Sequence, residues 1–259
     1  MQLRILFSAL LMGFFAFAPM VATADETATI RFILTGDMPE FPSEDGRGGY
    51  AKLASVAKTF KKKTKRNIRS LLIHAGDAYS PSLLSGLDKG KSTVDMLNAV
   101  GVDYMVLGNH EWDFGPKITR ERVWQSNFTV LASNVVDSEG LPVDGTVRTA
   151  MEIVGPFRVG IMGLVTPNVK EVSSPETDQL LPVMDTAKKL AKELKCQGAN
   201  LIVAIGHLDF VEDMEILQSG LVDVLLSGQD HYHIFLTMVR MFGWMQEKMQ
   251  KKWGFWMFI

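Results

Sequence analysis

The residues best suited to chemistry lie in one turn of the chain. A short apolar run, Tyr104–Leu107, is followed within six residues by Asn109, His110, Glu111 and Asp113. Placing an amide, an imidazole and two carboxylates beside a buried strand costs free energy unless something there binds charge. Metal-assisted phosphate chemistry needs a cluster of this composition. The turn therefore predicts a site that handles charge.

The elements that must position this turn alternate between short apolar runs and helix-like stretches. The predicted strands are Ile30–Thr35, Ser70–Ala75, Tyr104–Leu107, Thr129–Ala132, Arg158–Gly163, Leu201–Ile205 and Val222–Leu226. The predicted helices are Ala51–Lys65, Thr93–Val100 with a capping box of Ser92 and Asp95, and Asp185–Gln197 ending at Gly198. Such alternation predicts an α/β layered fold.

Further polar residues follow the predicted strands. Asp37, Asp77 and Asn109 come after the first three strands, and His207 and His231 come after the last two. Because open α/β sheets bind ligands at the carboxyl ends of their strands, these side chains are expected to converge on one rim. Isolated polar residues are common in such loops, but five segments that each carry a residue of metal-ligand type indicate a metal site.

Composition and charge restrict the class of protein. The 259 residues suffice for one large domain, and no repeat or second domain boundary is visible. The 27 basic and 29 acidic side chains leave no global field that would favour nucleic acid or an anionic membrane. The basic run at 61–66 could suggest a nucleic-acid patch, but the solvated end of a helix is the preferred interpretation. Cys196 is the only cysteine, so no internal disulfide can form.

The first residues have the pattern of a secretory signal. Arg4 precedes the uncharged apolar stretch Ile5–Ala18, and small residues at Ala22–Ala24 predict cleavage before Asp25. The alternative is a retained anchor, for which this stretch is short, since a spanning helix needs about 20 residues. The mature chain is therefore expected to begin at Asp25 and to be periplasmic or secreted.

Five short motifs occur in a fixed order along the chain. They are Gly36-Asp37, Gly76-Asp77, Gly108-Asn109-His110-Glu111, Gly206-His207 and Gly228-Gln229-Asp230-His231. In this order they resemble the calcineurin-like metallophosphoesterases, in particular the exported 5′-nucleotidase branch, which includes 2′,3′-cyclic-nucleotide phosphodiesterases. The resemblance covers roughly residues 29–233. It implies a four-layer α-β-β-α sandwich that hydrolyses nucleotide phosphate esters with two divalent metal ions (Mn, Mg, Ca or Zn).

The resemblance also implies a ligand role for several residues. Asp77 would bridge the two metals, Asp37 and His231 would hold the first, and Asn109 and His207 would hold the second. Two ions about 4 Å apart can clamp the attacking and leaving oxygens of a phosphate ester.

The remaining residues of the third motif would do other work. His110 would stabilise developing charge or protonate the leaving oxygen, and Asp113 would fix its tautomer. Glu111 would be a structural or supporting group.

Two positions depart from the family's pattern. Pro39 stands where the family places a histidine or another polar side chain, and it offers no side-chain ligand. Gln229 replaces the first histidine of the last motif; its amide oxygen is a harder and weaker ligand, which favours Mg, Mn or Ca over Zn. His74 is interpreted as a packed histidine rather than a ligand, and His233 as a loop histidine that could instead replace a missing ligand.

The two departures lead to two functional hypotheses. The first is a metal-dependent phosphoesterase of the 5′-nucleotidase type, impaired by the loss of metal ligands and of the substrate domain. The alternative is a catalytically inactive remnant that acts at most as a metal- or phosphate-binding module. The expected partner in the first case is a small phosphate ester, by resemblance a nucleotide, and not a nucleic acid.

The composition changes from about Phe235 onward. Three of the five tryptophans lie in the last sixteen residues. The resemblance implies that closing strands and a nucleobase-binding domain should follow, so the pattern predicts a truncated chain with a signal peptide at 1–24, a metallophosphoesterase domain at 25–235 and an atypical tail at 236–259. The tail has three interpretations: sequence foreign to the family, an amphipathic helix on a membrane surface, or a helix that covers an exposed sheet edge.

Overall fold

Strands and helices alternate through the part of the chain that the structure describes. This computed structural model describes residues 27–38, 49–62 and 65–229, together with the backbone of 253–258. The strands are β1 (Ala28–Thr35), β2 (Ile68–His74), β3 (Tyr104–Val106), β4 (Thr129–Leu131), β5 (Val135–Val136), β6 (Thr149–Val154), β7 (Phe157–Val165), β8 (Gln179–Leu180), β9 (Leu201–His207), β10 (Val224–Gly228) and β11 (Trp253–Phe258). The helices are α1 (Tyr50–Lys61), α2 (Ser85–Asp88), α3 (Lys91–Val100), α4 (Gly115–Gln125), α5 (Val169–Val172), α6 (Val183–Cys196) and α7 (Phe210–Ser219), with a 3-10 turn at Asn109–Trp112.

The strands form two main sheets and a short ribbon. The first sheet has the order β11-β1-β2-β3-β4, and all its neighbouring strands are parallel. The second has the order β10-β9-β7-β6, in which β6 runs antiparallel to β7 and the other pairs are parallel. β5 and β8 form the antiparallel ribbon. Parallel pairing brings the carboxyl ends of neighbouring strands to a common edge.

The two sheets pack face to face, with helices on the outside. Leu71 and Ile73 of β2 lie in the cluster between the sheets, which also contains Val203 of β9. Leu72 faces the other way and packs with residues of α1 and α3. Ala204 of β9 packs with residues of α6 and α7. The predicted four-layer α-β-β-α sandwich is therefore confirmed.

All seven predicted strands are present, with ends that differ from the predictions by at most two residues. These strands are buried on both faces, so their sequences are nearly continuous apolar runs. The strands β5, β6 and β8 and the helices α2, α4, α5 and α7 were not predicted. α4 carries the polar sequence GPKITRERVWQ and buries only a narrow set of small side chains, so its apolar periodicity is weak.

The predicted helices are present, but their boundaries differ. α1 ends at Lys61, four residues before the predicted end, and Lys61 pairs with Asp103 at 2.8 Å. α6 begins at Val183 rather than at Asp185, which lies in its first turn. Gly198, predicted to end α6, has the positive φ of 86° that a glycine accommodates without strain.

The predicted capping box before α3 is wrong. The helix begins at Lys91, and its N-cap is Gly90. The carboxylate of Asp88 accepts the N–H groups of Gly90 at 3.0 Å and Ser92 at 2.8 Å, so it satisfies the first donors of the helix. Asp95, the expected partner of the box, instead binds Lys91 at 2.8 Å.

The described part of the tail is a strand, not a helix. β11 runs parallel to β1 with Ala28 opposite Trp253 and Ile33 opposite Phe258. This pairing satisfies N–H and C=O groups on the edge of β1. The third interpretation of the tail expected that this edge would be covered, but by a helix. The helical expectation for these six residues is wrong, and the rest of the tail lies outside the described residues.

A polar cluster joins the two sheets near the amino ends of β2 and β3. The guanidinium of Arg69 donates to both carboxylate oxygens of Glu152, at 3.2 and 3.3 Å. The hydroxyl of Tyr104 donates to the same carboxylate at 2.8 Å. Since Glu152 belongs to β6 and the two donors belong to the first sheet, this cluster fixes the offset between the sheets.

We expect Glu152→Gln to lower the free energy of unfolding by about 2 kcal/mol, because a half-buried guanidinium loses its charged acceptor. Urea unfolding followed by circular dichroism measures the loss. Glu193→Gln, an exposed glutamate on α6, is the matched control and should change stability by less than about 0.5 kcal/mol. Equal stabilities of the two variants would contradict a linking role for Glu152.

Candidate metal centre

Five predicted site residues lie at the carboxyl ends of strands from both sheets. Asp37 follows β1, Asp77 follows β2, Asn109 follows β3, His207 is the last residue of β9, and Gln229 follows β10. Contacts between the two sheets close the rim: the ring of His207 reaches the carbonyl of Ala75, which follows β2. The structure thus brings the carboxyl ends of β1, β2 and β3 in the first sheet and of β9 and β10 in the second sheet to one site.

Two of these aspartates occupy unusual backbone conformations. Asp37 has φ 50° and Asp77 has φ 56°, in the left-handed region that non-glycine residues rarely adopt. The N–H of Asp37 donates to the carbonyl of Gly76 at 3.1 Å, so the two turns support each other. Backbone strain of this kind persists where the surrounding structure enforces it, and it is common at functional sites.

Glycines are required where these turns meet the imidazole. A Cβ on Gly76 would lie 2.5 Å from Nδ1 of His207, and a Cβ on Gly108 would lie 2.9 Å from its Cε1 and would also collide with the carboxylate of Asp77. The glycines of the Gly-Asp and Gly-Asn-His-Glu motifs therefore make room for a buried cluster of ligand-type side chains.

Asp37, Asp77 and His207 form a group that could hold a metal ion. Their ligand atoms all lie within 4.8 Å of one another. Nε2 of His207 is 3.2 Å from Oδ1 of Asp77 and 3.1 Å from Oδ1 of Asn109, so the predicted amide ligand belongs to the same cluster. Asp77, Asn109 and His207 are each at most 6 % exposed, which removes water as an alternative partner for their charge.

The backbone selects which nitrogen of His207 faces the cluster. Nδ1 lies 2.7 Å from the carbonyl oxygen of Ala75, which can only accept, so Nδ1 carries a proton and Nε2 points toward the carboxylates. Burial by itself lowers the pKa of His207, but the hydrogen bond to Asp77 and its charge more than compensate and raise it to about 9. The surplus of negative charge thus attracts a proton where a metal would bind.

His110 lies beside this cluster rather than inside it. Its Nδ1 is 2.7 Å from Oδ2 of Asp113, and its Nε2 is 3.9 Å from Oδ2 of Asp77. The hydrogen bond to Asp113 raises the pKa of His110, although partial burial opposes it. Burial raises the pKa of Asp113, but hydrogen bonds from His110, Ser80 and Ser173 outweigh that effect and lower it. The pair therefore joins an imidazole to an ionised carboxylate.

Glu111 ties the second and third motifs together. One carboxylate oxygen accepts the N–H groups of Asp77 at 2.9 Å and Gly108 at 2.5 Å, and the other accepts those of Ala78 at 2.6 Å and Tyr79 at 3.0 Å. Burial raises the pKa of Glu111 to about 7; the charge of Asp77 acts in the same direction, and the backbone donors oppose it. Glu111 holds the turn that carries Asp77 against the turn that carries Asn109.

Among the other predicted residues, Gln229 is described and makes a contact outside the cluster. The side-chain nitrogen of Gln229 donates to Oδ1 of Asp209 at 3.4 Å, and its role as a ligand stays a prediction. Pro39, His231 and His233 lie outside the described residues. His74 is fully buried in β2, and burial lowers its pKa to about 4, so it is a neutral packed side chain.

Sequence reasoning missed three supporting residues. Ser80 and Ser173 contact Asp113, and Asp178 accepts from Nε1 of Trp112 at 2.9 Å, next to the Glu111 turn. Ser80, Ser173 and Asp178 lie far along the chain from their partners, and no local motif marks them. A lone serine in a loop carries no signal of this role.

The donor set fits a divalent cation. Two carboxylates, an amide oxygen and an imidazole nitrogen converge in a buried space, and the imidazole is already oriented with Nε2 toward the oxygens. Oxygen and imidazole donors of this kind bind Mn, Mg and Zn. The divalent cation would be held by Asp37, Asp77, Asn109 and His207.

Comparison with known proteins agrees with the order of the motifs and with this geometry. The sequence profile described as "Calcineurin-like phosphoesterase" matches residues 30–233. The chain belongs to this family. Calcineurin-like phosphoesterases use divalent metals, which accounts for the cluster of carboxylates and imidazole at the rim.

Relatives and solved structures give the same result. A probable 5′-nucleotidase of Treponema pallidum is 33% identical over 71% of this chain and 31% of its own length. A NAD 5′-nucleotidase of Haemophilus influenzae is 30% identical, also over 71% of this chain and 31% of its own length. The structure of the H. influenzae NAD nucleotidase superposes with a TM-score of 0.71 at 27% identity, over 80% of this chain and 44% of that one. A 5′-nucleotidase precursor from Thermus thermophilus superposes with a TM-score of 0.67 at 29% sequence identity. The superposition covers 77% of this chain and 41% of that one. The chain spans about a third of the length of these curated relatives.

We expect Glu111→Gln to lower the free energy of unfolding by about 3 kcal/mol, because the new amide group turns a donor toward backbone N–H groups and leaves them unpaired. Affinity for Mn²⁺ should fall about tenfold, since the turns that present Asp77 and Asn109 are no longer held together. Urea unfolding and isothermal calorimetry measure the two effects.

Glu121→Gln, which changes an exposed glutamate of α4, is the control for this substitution. It should leave both quantities unchanged. Normal Mn²⁺ affinity in a Glu111→Gln variant would show that the clamp does not support the metal centre.

Proposed function

We propose that this protein hydrolyses phosphate monoesters of nucleotides in a metal-dependent reaction. The observation that carries the proposal is the convergence of Asp37, Asp77 and His207 within 4.8 Å, with the His110–Asp113 pair beside them. Membership of the calcineurin-like phosphoesterases supports the reaction class, and the 5′-nucleotidases among its relatives support the substrate class.

Two divalent ions would be held by this chain. Asp77 would contact both, Asp37 and His231 the first, and Asn109 and His207 the second, with Gln229 as a further oxygen ligand. When bound, such ions polarise a phosphate ester and lower the pKa of a water molecule that attacks it. Asp77 suits the shared position because its carboxylate lies 3.2 Å from Nε2 of His207 and within 4.8 Å of the ligand atom of Asp37.

His110 supplies the proton chemistry of the proposed reaction. Its Nδ1 is committed to Asp113, so Nε2 faces the space next to Asp77. From there it can stabilise the charge that develops on the phosphate oxygens or donate a proton to the leaving oxygen. Its side chain is 31% exposed, which leaves the ring accessible to a substrate.

The relatives support a location for this protein. Among them are snake venom 5′-nucleotidases, which supports a location outside the cytoplasm, as the predicted signal peptide at 1–24 does. None of the described helices is long and apolar enough to cross a membrane. We expect weak discrimination between nucleobases, because the rim residues to which this proposal gives a role all act on the metal ions or the phosphate, and binding energy from the base then does not orient the phosphate.

We expect the purified chain to bind Mn²⁺ and to hydrolyse p-nitrophenyl phosphate and AMP, and His110→Ala to lower kcat on AMP about 100-fold or more. Affinity for Mn²⁺ should persist in His110→Ala, because His110 is not a ligand, and should be lost in Asp77→Asn. Metal analysis, calorimetry and steady-state kinetics test this, with Lys188→Ala, an exposed residue of α6, as the control. Absence of both metal and turnover in the unsubstituted chain would contradict the proposal.

One observation favours the inactive alternative. Pro39 has no side-chain ligand atom, and Gln229 offers an amide oxygen where the family has an imidazole, so the first metal would be held by fewer and weaker protein ligands. A chain that binds a single ion, or phosphate alone, and catalyses nothing would fit that interpretation.

Restoring both histidines distinguishes the two possibilities. In the double variant Pro39→His and Gln229→His, we expect Mn²⁺ affinity to rise at least about tenfold, with a parallel rise in kcat, because imidazole nitrogens complete the ligand set. Gln197→His, an exposed position after α6, is the control. An unchanged affinity would show that positions 39 and 229 do not reach the metal centre.

A further inference from the structure

Three donors converge on the carboxylate of Asp113. Nδ1 of His110 lies 2.7 Å and Oγ of Ser80 lies 2.5 Å from Oδ2, and Oγ of Ser173 lies 2.8 Å from Oδ1. Both oxygens of one side chain are therefore occupied, and only one of the three donors belongs to the predicted motif. The two hydroxyls are separated from Asp113 by 33 and 60 residues of sequence.

The two serines come from opposite halves of the sandwich. Ser80 is almost completely buried and follows the segment whose N–H groups are held by Glu111, so it belongs to the loop after β2 of the first sheet. Ser173 follows α5, beyond β7 of the second sheet, and its N–H donates to the carbonyl of Val169 at 2.9 Å. Asp113 thus accepts hydrogen bonds from loops that follow strands of both sheets.

These contacts to Asp113 matter because the ring of His110 is oriented by its hydrogen bond to that carboxylate. The side chain of His110 is 31% exposed, and Nδ1 makes this bond. An aspartate that accepts hydrogen bonds at only one oxygen can turn its carboxylate plane away from its partner. Hydrogen bonds to both oxygens remove that freedom and keep the carboxylate as an acceptor for the imidazole.

We propose that Ser80 and Ser173 are positioning residues for the reaction, which act through Asp113 to hold Nε2 of His110 toward the leaving oxygen of the phosphate ester. This inference rests on the proposed function. In the step it serves, a water oxygen forms the new bond to phosphorus and loses a proton to solvent. The bond to the leaving oxygen breaks with its electron pair, that oxygen takes the proton from Nε2, and His110 regains a proton from solvent.

The ratio of the hydrolysis rates of two esters with different leaving groups tests this role. A merely structural role of the serines would not change that ratio. An alkoxide, as released from AMP, needs a proton as it departs, whereas p-nitrophenolate is stable without one. Loss of positioning should therefore slow the hydrolysis of AMP more than that of p-nitrophenyl phosphate. A general loss of folded protein or of metal would slow both equally.

The experiment compares Ser80→Ala, Ser173→Ala and the double variant in the full chain with Mn²⁺. We expect each single variant to lower kcat on AMP about five- to tenfold, with KM changed by less than about twofold, and kcat on p-nitrophenyl phosphate to fall less than about twofold. Ser173→Thr, which retains the hydroxyl, should restore the rate on AMP. Ser70→Ala removes a buried hydroxyl that donates to the carbonyl of Phe60, far from the site, and should leave both rates unchanged.

Several results would overturn the inference. Equal losses on the two esters, a change confined to KM, or failure of Ser173→Thr to restore the rate would each show that the serines do not act through His110. Ser173 is only half-buried, so its variants keep the test valid if Ser80→Ala does not fold.

A second readout does not depend on activity. In the chain labelled with ¹⁵N-histidine, with His110 assigned by its loss in His110→Gln, we expect the Nδ1 proton to exchange with solvent at least about tenfold faster in the double serine variant than in the unsubstituted chain. If the unsubstituted chain hydrolyses neither ester, the proposed function fails, and this measurement decides the positioning separately. Unchanged exchange would overturn it.

Discussion

Negative charge confined at one rim is the constraint on which the arrangement of this protein depends. Asp37 and Asp77 bring carboxylate oxygens within 4.8 Å of each other, and Asp77 is buried while Asp37 is partly buried. Burial lowers the pKa of His207, but the hydrogen bond to Asp77 and the charge of Asp77 raise it to about 9, so the surplus of negative charge favours a proton on the imidazole. A divalent metal would neutralise the same charge more completely, so the geometry and the electrostatics point to one type of occupant.

Holding the charges together requires a rigid backbone around them. Glu111 binds four N–H groups from two turns, and glycines at 76 and 108 let those turns approach the ring of His207. The left-handed conformations of Asp37 and Asp77 are part of the same construction. These features give the Gly-Asp and Gly-Asn-His-Glu motifs a physical meaning: each glycine supplies space, and each polar residue either belongs to the cluster of ligand-type side chains or holds a neighbour in place.

His110 is supported separately from the cluster that could hold a metal ion. His110 is held by Asp113, which receives hydroxyl groups from loops of both sheets, and the sheets themselves are aligned at their far end by Arg69, Tyr104 and Glu152. A change in the offset between the sheets would therefore alter both the approach of His207 to Asp77 and the position of Ser173 relative to Asp113. Similarity to calcineurin-like phosphoesterases of known structure, at TM-scores near 0.7, shows that this two-sheet frame belongs to the family rather than to this chain alone.

Sequence alone determined the layered fold, the seven central strands and the residue types at their ends. Strands buried on both faces leave continuous apolar runs, and the polar residue after each run is visible at once. The capping of α3, the strand β11 and the clamp on Asp113 could not be predicted in this way. Asp88 lies outside the motif expected to cap the helix, β11 pairs with a strand more than two hundred residues away, and Ser80 and Ser173 meet Asp113 only after the sheets pack. Local periodicity encodes which face of an element is buried, whereas contacts between distant segments depend on how whole sheets are placed against each other, and only the tertiary structure decides that.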